Sequence, residues 1–179
     1  MLQTRGIETT GIDPTQRLID QAQIVNPKGQ YILGRAEDLP FENESFDLVV
    51  SYLSLIDIPD FRSAISEMAR VLQPKGALLA ANLTSFNSAG DGRGWKRDGF
   101  GQYKYFKLDN YLEERANSVS FAGIQIENWH RPLSAYMQSY MDAGLQLELF
   151  DEPPAVSGDI LERYNRAPWF NLMVWRKPN

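Results

Sequence analysis

A carboxylate at the end of a short apolar run is the residue in this chain best placed to do chemistry. Residues 7–12 read Ile7-Glu8-Thr9-Thr10-Gly11-Ile12, and Asp13-Pro14 and a helix-forming stretch follow at once. An acid at the C-terminal end of a parallel strand can accept hydrogen bonds from both hydroxyls of a ribose, which is how doubly wound α/β sheets hold nucleoside cofactors. In those sheets a glycine-rich turn stands about 20 residues before the acid. Only twelve residues precede Asp13 here, and they contain no Gly-x-Gly. An aspartate before a helix also serves as a plain capping acid.

The second group is His130, the single histidine of the chain. It is the one side chain whose ordinary pKa lies near neutrality. It is therefore the candidate for a general base, with a satisfied structural histidine beside Arg131-Pro132 as the alternative. A lone histidine and no cysteine exclude disulfides, thiolate nucleophiles and cysteine metal sites, and argue against a histidine zinc site; no metal is expected. Arg93, Lys96 and Arg97 form a small basic cluster in a glycine-rich loop. It is either solvated charge or a contact for an acidic substrate.

The elements that would position these residues alternate between strand and helix. The strands are residues 7–12, 31–33, 46–53, 76–83, 145–150 and 169–175. Leu48-Val49-Val50 and Ala77-Leu78-Leu79-Ala80-Ala81 are apolar at successive positions, the pattern of strands buried on both faces. Thr15 and Asp60 are N-cap candidates for two helices, and Gly144 is placed to end a third over residues 133–143. The rhythm breaks over residues 84–129, which hold six glycines and nine aromatics. There, residues 85–101 read as loop, and 103–108 and 123–129 as strands able to pair. Repeated β-α-β with short connections implies an α/β fold, a doubly wound and mostly parallel sheet. The chain is expected to be one domain, 1–179, with an insertion or lid at 84–129 over the C-terminal strand ends.

Composition sets limits. The chain has 179 residues, 43% apolar and 23% charged, with a net charge of −5. That is an ordinary globular composition, and the negative balance argues against a nucleic-acid or anionic-membrane binder. No apolar run reaches the roughly 18–20 residues of a membrane helix, and the N-terminus has no secretory pattern. A cytoplasmic location is the expectation.

Four segments resemble the class I S-adenosylmethionine-dependent methyltransferases, in their small-molecule branch. Gly11-Ile12-Asp13-Pro14 followed by Leu18-Ile19 and Ala22 is similar to the acidic strand and helix of that family. Gly34-Arg35-Ala36-Glu37-Asp38-Leu39-Pro40-Phe41 resembles its adenine-side loop. Ser45-Phe46-Asp47-Leu48-Val49-Val50 resembles its fourth strand, and Arg70-Val71-Leu72-Gln73-Pro74-Lys75-Gly76 the turn into its fifth. Trp129-His130-Arg131-Pro132-Leu133 leading to Ala143-Gly144 resembles one subgroup before the last helix. The order and spacing of these segments carry more weight than any one of them. The resemblance covers nearly all of the chain except the insertion.

The resemblance implies S-adenosylmethionine as cofactor and assigns roles by position. Asp13, with Pro14 after it, would bind the ribose. Asp38 would accept from the adenine amino group, with Ala36 and Glu37 framing the ring edge and Leu39 on its face. Ser51 and Tyr52 would face the methionine portion. The family's first strand and its Gly-x-Gly loop have no counterpart; residues 1–6 look like the end of the helix that follows that loop. That strand normally lies between those beginning at Ile7 and Phe46. The chain is accordingly expected to be N-terminally truncated relative to the family, and to bind cofactor weakly. Its two strand edges should close on each other or be covered by a second copy, giving a homodimer through exposed sheet edges. The expected function is methyl transfer to an unidentified small molecule, impaired in this chain. The alternative is a non-catalytic methyltransferase-like protein acting by self-association or partner binding. A Rossmann oxidoreductase is disfavoured by Ala36-Glu37-Asp38-Leu39-Pro40.

Overall fold

The computed structural model describes residues 5–90, 94–121, 124–157 and 161–179. Expectations resting on residues 1–4, on Arg93 and on Gly123 lie outside the described residues. Along the chain come β1 (Thr10–Asp13), α1 (Gln16–Val25), β2 (Gln30–Leu33), β3 (Phe46–Tyr52), α2 (Phe61–Val71) and β4 (Leu72–Leu83). After them come α3 (Ser85–Ala89), β5 (Trp95–Arg97), β6 (Tyr103–Phe106), β7 (Arg115–Phe121) and β8 (Ile124–His130). The chain ends with α4 (Leu133–Asp142), β9 (Gln146–Asp151), α5 (Leu161–Arg166) and β10 (Phe170–Arg176).

Local chemistry explains the main boundaries. Asp60 caps α2, its carboxylate accepting from the Ser63 backbone N–H at 3.1 Å and from the Ser63 hydroxyl at 2.6 Å, as an aspartate N-cap should. Those bonds hold the Asp60 carboxyl below its ordinary range. Thr15 precedes α1 in an extended conformation, but its side chain makes no cap. Asp13 acts instead, its Oδ1 accepting from the Thr15 N–H at 2.8 Å. Gly144 has φ +79°, a conformation open to glycine at a helix end.

β1 and β2 form a parallel pair, Asp13 opposite Leu33. A separate four-stranded sheet has the order β3-β4-β10-β9. β3 and β4 are parallel, while β10 runs antiparallel to both β4 and β9. The α/β class stands, with a mixed sheet. One face of this sheet is packed. Leu78, Ala80, Met173 and Trp175 meet Phe61, Ile65 and Met68 of α2 and Tyr136 and Tyr140 of α4 in a single buried cluster. Trp175 stacks on Tyr140 with ring centroids 4.6 Å apart.

Three expectations are corrected. Residues 85–101, expected as loop, hold α3, whose start is capped by the Thr84 side chain accepting from the Asn87 N–H, and β5, which takes its strand form from pairing with β6. The strands expected at 103–108 and 123–129 do not pair with each other; β5 pairs with β6 and β7 with β8, each antiparallel. Neighbours joined by a short turn close with less lost entropy than segments some twenty residues apart. The edges of β1 and β3 do not close directly either, because the two strands belong to separate sheets. The segment leaving β2 is fastened to α2. Glu67 accepts from the Leu39 N–H at 2.8 Å, and Arg70 donates to the carbonyls of Leu39 and Phe41 at 2.9 and 2.8 Å. Closure would drag the β1–α1–β2 unit about one strand spacing, ~4.8 Å, against that anchor.

Candidate functional site

The strand ends bring the first group of residues together. Asp13 closes β1, and its carbonyl accepts from the Gly34 N–H at 3.1 Å. Gly34 sits against this strand because a Cβ there would lie 2.8 Å from the Ile12 side chain. The loop after β2 therefore leaves beside Asp13. Arg35 and Asp38 form an isolated bridge, and Arg35 pairs with Glu37 at 2.6 Å. Asp38 and Pro14 are exposed and Glu37 is half-buried. Ala36 packs against the main core. Leu39 is buried, turned into the protein rather than offered as a broad open face.

Glu67 and Arg70 hold this loop in place, a role the sequence reading did not assign. Arg70 grips the carboxylate of Glu67 at 2.7 and 2.8 Å while bonding Leu39, Phe41 and Asn43. The guanidinium bond, seconded by the Leu39 N–H, keeps the Glu67 carboxyl below the ordinary glutamate range. Their i,i+3 spacing on one helix was a visible signal, but their partners in the loop lie 27 to 31 residues away.

β3 carries the second group. Ser51 is buried, with its hydroxyl 2.8 Å from that of Ser54. Tyr52 alternates to the other face and is exposed. Leu53 follows with φ +54° and donates its N–H to the Ala81 carbonyl at 2.8 Å, which turns the chain away from the sheet. Nearby, the buried Asn82 Oδ1, Asn171 Oδ1 and Ser85 Oγ have no hydrogen-bond partner among the described residues. Asn82 and Asn171 face each other across β4 and β10. A buried polar atom left unpaired costs about 1–3 kcal/mol, so this end of the sheet calls for a further polar partner.

His130 ends β8. It is fully buried, its Nδ1 is 2.8 Å from Ser88 Oγ, and its Nε2 is 2.9 Å from the Tyr111 carbonyl. A carbonyl only accepts, so Nε2 carries a proton, and Nδ1 shares a hydrogen bond with the Ser88 hydroxyl. Both nitrogens thus tie α3 and the Tyr111 segment to the end of β8, the geometry of a structural histidine. Of the basic cluster, Arg97 bonds and stacks on Tyr103. Lys96 lines a cavity of about 320 Å³ with Gly90, Gly94, Lys107, Asp109 and Ser118. Among the described residues, no group of acids and histidine has the makings of a metal site, and no helix is long and apolar enough to cross a membrane.

Asp13 ends β1 and Asp38 lies on the loop that leaves β2 beside it, and carboxylates so placed can accept from hydroxyl and amino groups. Ser51 and Leu39 are too enclosed to offer more than an edge.

Similarity to known proteins agrees with that geometry. Residues 1–80 match the family model of the methyltransferase domain. Over 117 residues the chain is 36% identical to the phthiotriol/phenolphthiotriol dimycocerosates methyltransferase of Mycobacterium leprae, covering 64% of this chain and 41% of that protein. It is 32% identical over 82 residues to a demethylmenaquinone methyltransferase of Thermotoga maritima, covering 46% and 36%. The chain thus spans less than half the length of these curated relatives. Its fold is shared with the crystal structure of an S-adenosylmethionine dependent methyltransferase from Mesorhizobium loti, at TM-score 0.78 and 22% identity, covering 93% of this chain and 79% of that one. A structure from Listeria monocytogenes assigned to the same class gives TM-score 0.84 at 23% identity, covering 95% and 80%.

Proposed function

For a chain whose residues 1–80 match the methyltransferase domain and whose fold is shared with S-adenosylmethionine-dependent methyltransferase structures, we propose methyl transfer to a small molecule. S-adenosylmethionine is the cofactor of that class. The observation that carries the proposal is the placement of two acids: Asp13 ends β1, and the loop bearing Asp38 leaves the adjacent end of β2. Asp13 holds the ribose and Asp38 the adenine amino group, with Ala36 and Glu37 at the ring edge. Ser51 and Tyr52 stand on the methionine side. The cofactor supplies a methyl group already activated on a sulfonium. The protein's own contribution is orientation and exclusion of water, for which the insertion at 84–129 serves as cover. The names of the two curated relatives support an acceptor that is a small molecule. His130, closed in by Ser88 and Tyr111, serves the fold rather than as a base.

Affinity for cofactor should be weak. β1 and β3 lie in separate sheets, with no hydrogen-bonded strand joining them among the described residues. The test is titration with S-adenosylhomocysteine in a calorimeter. Asp13→Ala should weaken binding roughly 10- to 100-fold, the size of one or two charge-assisted hydrogen bonds. Equal affinity for variant and wild type would remove the ribose assignment.

A second reading has its own support. Apolar residues are exposed on the edge strand β3 and along one sheet face, and such surfaces pair with something. A non-catalytic protein that self-associates through them is the alternative. Wild-type chain that dimerises and ignores S-adenosylhomocysteine at millimolar concentration would favour it.

A further inference from the structure

Arg131 is fully buried, and its guanidinium bonds backbone carbonyls rather than a carboxylate. Its guanidinium donates to the carbonyls of Leu55 at 2.8 Å, Ile58 at 2.6 Å and Pro59 at 2.9 Å, and reaches the Tyr136 hydroxyl at 3.4 Å. The Phe61 ring lies 4.3 Å from its central carbon and the Trp129 ring 5.1 Å. A buried cation that no carboxylate bonds directly is costly even with the Glu114 charge in reach, and a well-packed apolar residue in its place is often no less stable. Packing alone therefore does not account for an arginine here. Its planar fork matches three carbonyls that converge from one loop, which the single ammonium of lysine cannot do.

We propose that Arg131 is a positioning residue: it sets the shape of the loop over residues 53–59, and through it the β3 end of the cofactor site. This rests on the methyltransferase reading above. The loop begins directly after Ser51 and Tyr52, and past Leu53 it leaves β4. Two further contacts come from the same place as Arg131. The Trp129 N–H donates to the Ile56 carbonyl at 2.6 Å, and Asn128 donates to the Asp57 carboxylate. Desolvation at that contact raises the Asp57 carboxyl, and the Asn128 bond opposes the rise. Residues 128–131 are where the chain returns from the insertion to α4. The donor-side loop is thus moulded by the segment that anchors the cover, so the two sides of the site share one rigid joint.

The experiment compares wild type, Arg131→Met, Arg131→Lys and Asn128→Ala by amide hydrogen exchange, with S-adenosylhomocysteine titration in parallel. Arg131→Met should speed exchange of the 53–59 amides about tenfold or more while the α2 amides stay protected, a local rather than global opening. Lysine should not restore protection, and Asn128→Ala should loosen the same loop less. Where wild type binds S-adenosylhomocysteine, affinity should fall roughly tenfold in Arg131→Met, as misplacement of a site segment predicts. Exchange rising evenly over the loop and α2, full recovery with lysine, or failure of both Arg131 variants to fold would overturn the proposal. A faster loop with unchanged affinity would overturn its link to the site. Wild type that binds no S-adenosylhomocysteine sinks the methyltransferase reading instead, and the exchange result still decides whether Arg131 shapes the loop.

Discussion

The two faces of the four-stranded sheet are built from the same strands and meet different fates. On one face Leu78, Ala80, Met173 and Trp175 are sealed under α2 and α4. On the other, Val50 is 48% exposed, Leu79 37%, Leu172 38% and Leu149 48%. Register shows that these residues share a face. Val50 lies opposite Leu79, and Val174, beside Leu172 on β10, lies opposite both Leu79 and Leu149. The pleat sends neighbours to opposite sides, so runs such as Leu48-Val49-Val50 supply apolar groups to both. α1 packs on β1 and β2 and leaves Leu18, Ile24 and Val25 exposed as well. Composition made both faces fit for burial, and only one is buried among the described residues.

The largest expected effect contrasts the faces directly. Trp175→Ala removes a fully buried ring stacked on Tyr140 and should cost about 3–5 kcal/mol. Leu172→Ala, one strand position away from the core side, should stay within about 0.5–1 kcal/mol of wild type, as an exposed site does. Urea unfolding of both variants checks this. A Leu172→Ala loss as large as that of Trp175→Ala would break the comparison, since it would mean the open face is covered in solution.

A second experiment asks what covers it. The exposed apolar face should make wild type associate at tens of micromolar, in the range of weak interfaces. Leu172→Lys and Leu79→Glu should each shift sedimentation toward monomer with little change in melting temperature. Association that survives both charges would move the contact from the face to the strand edges, where Tyr52 is exposed on β3.

How much of this was legible depends on how local the signal was. The apolar runs at Leu48 and Ala77, the Asp60 cap and the Gly144 stop could be read because each depends on a few adjacent residues. β7 escaped because Arg115-Ala116-Asn117-Ser118-Val119-Ser120-Phe121 is mostly polar and takes its strand form from pairing with β8. Partner choice among insertion strands is a tertiary matter that propensity does not encode. At the site, Asp13 could be read as an acid at a strand end, whereas Asp38 was named only through the resemblance. The guanidinium grips of Arg70 and Arg131 could not be read. Both act on backbone carbonyls, Arg70 across 29 to 31 residues and Arg131 across 72 to 76, and a carbonyl leaves no mark in a sequence.

The smallest expected effect sharpens the comparison at its joint, where α2 of the covered side holds the segment leaving β2. Glu67 is partly exposed and bonds Arg70 and the Leu39 N–H. Its carboxyl is held below the ordinary value in the folded chain. A depressed folded pKa means the unfolded chain takes up the proton first as pH falls. The stabilisation is therefore fully present above the unfolded value near 4.3 and is lost as pH drops through the folded one. Glu67→Gln keeps an acceptor for Leu39 but no charge for Arg70. Wild type should exceed the variant by about 0.3–1 kcal/mol at pH 7, the worth of a partly exposed ion pair. The gap should be flat down to about pH 5 and close below it. A gap that persists unchanged at pH 3 would mean the grip on the 39–43 segment is held by shape rather than charge.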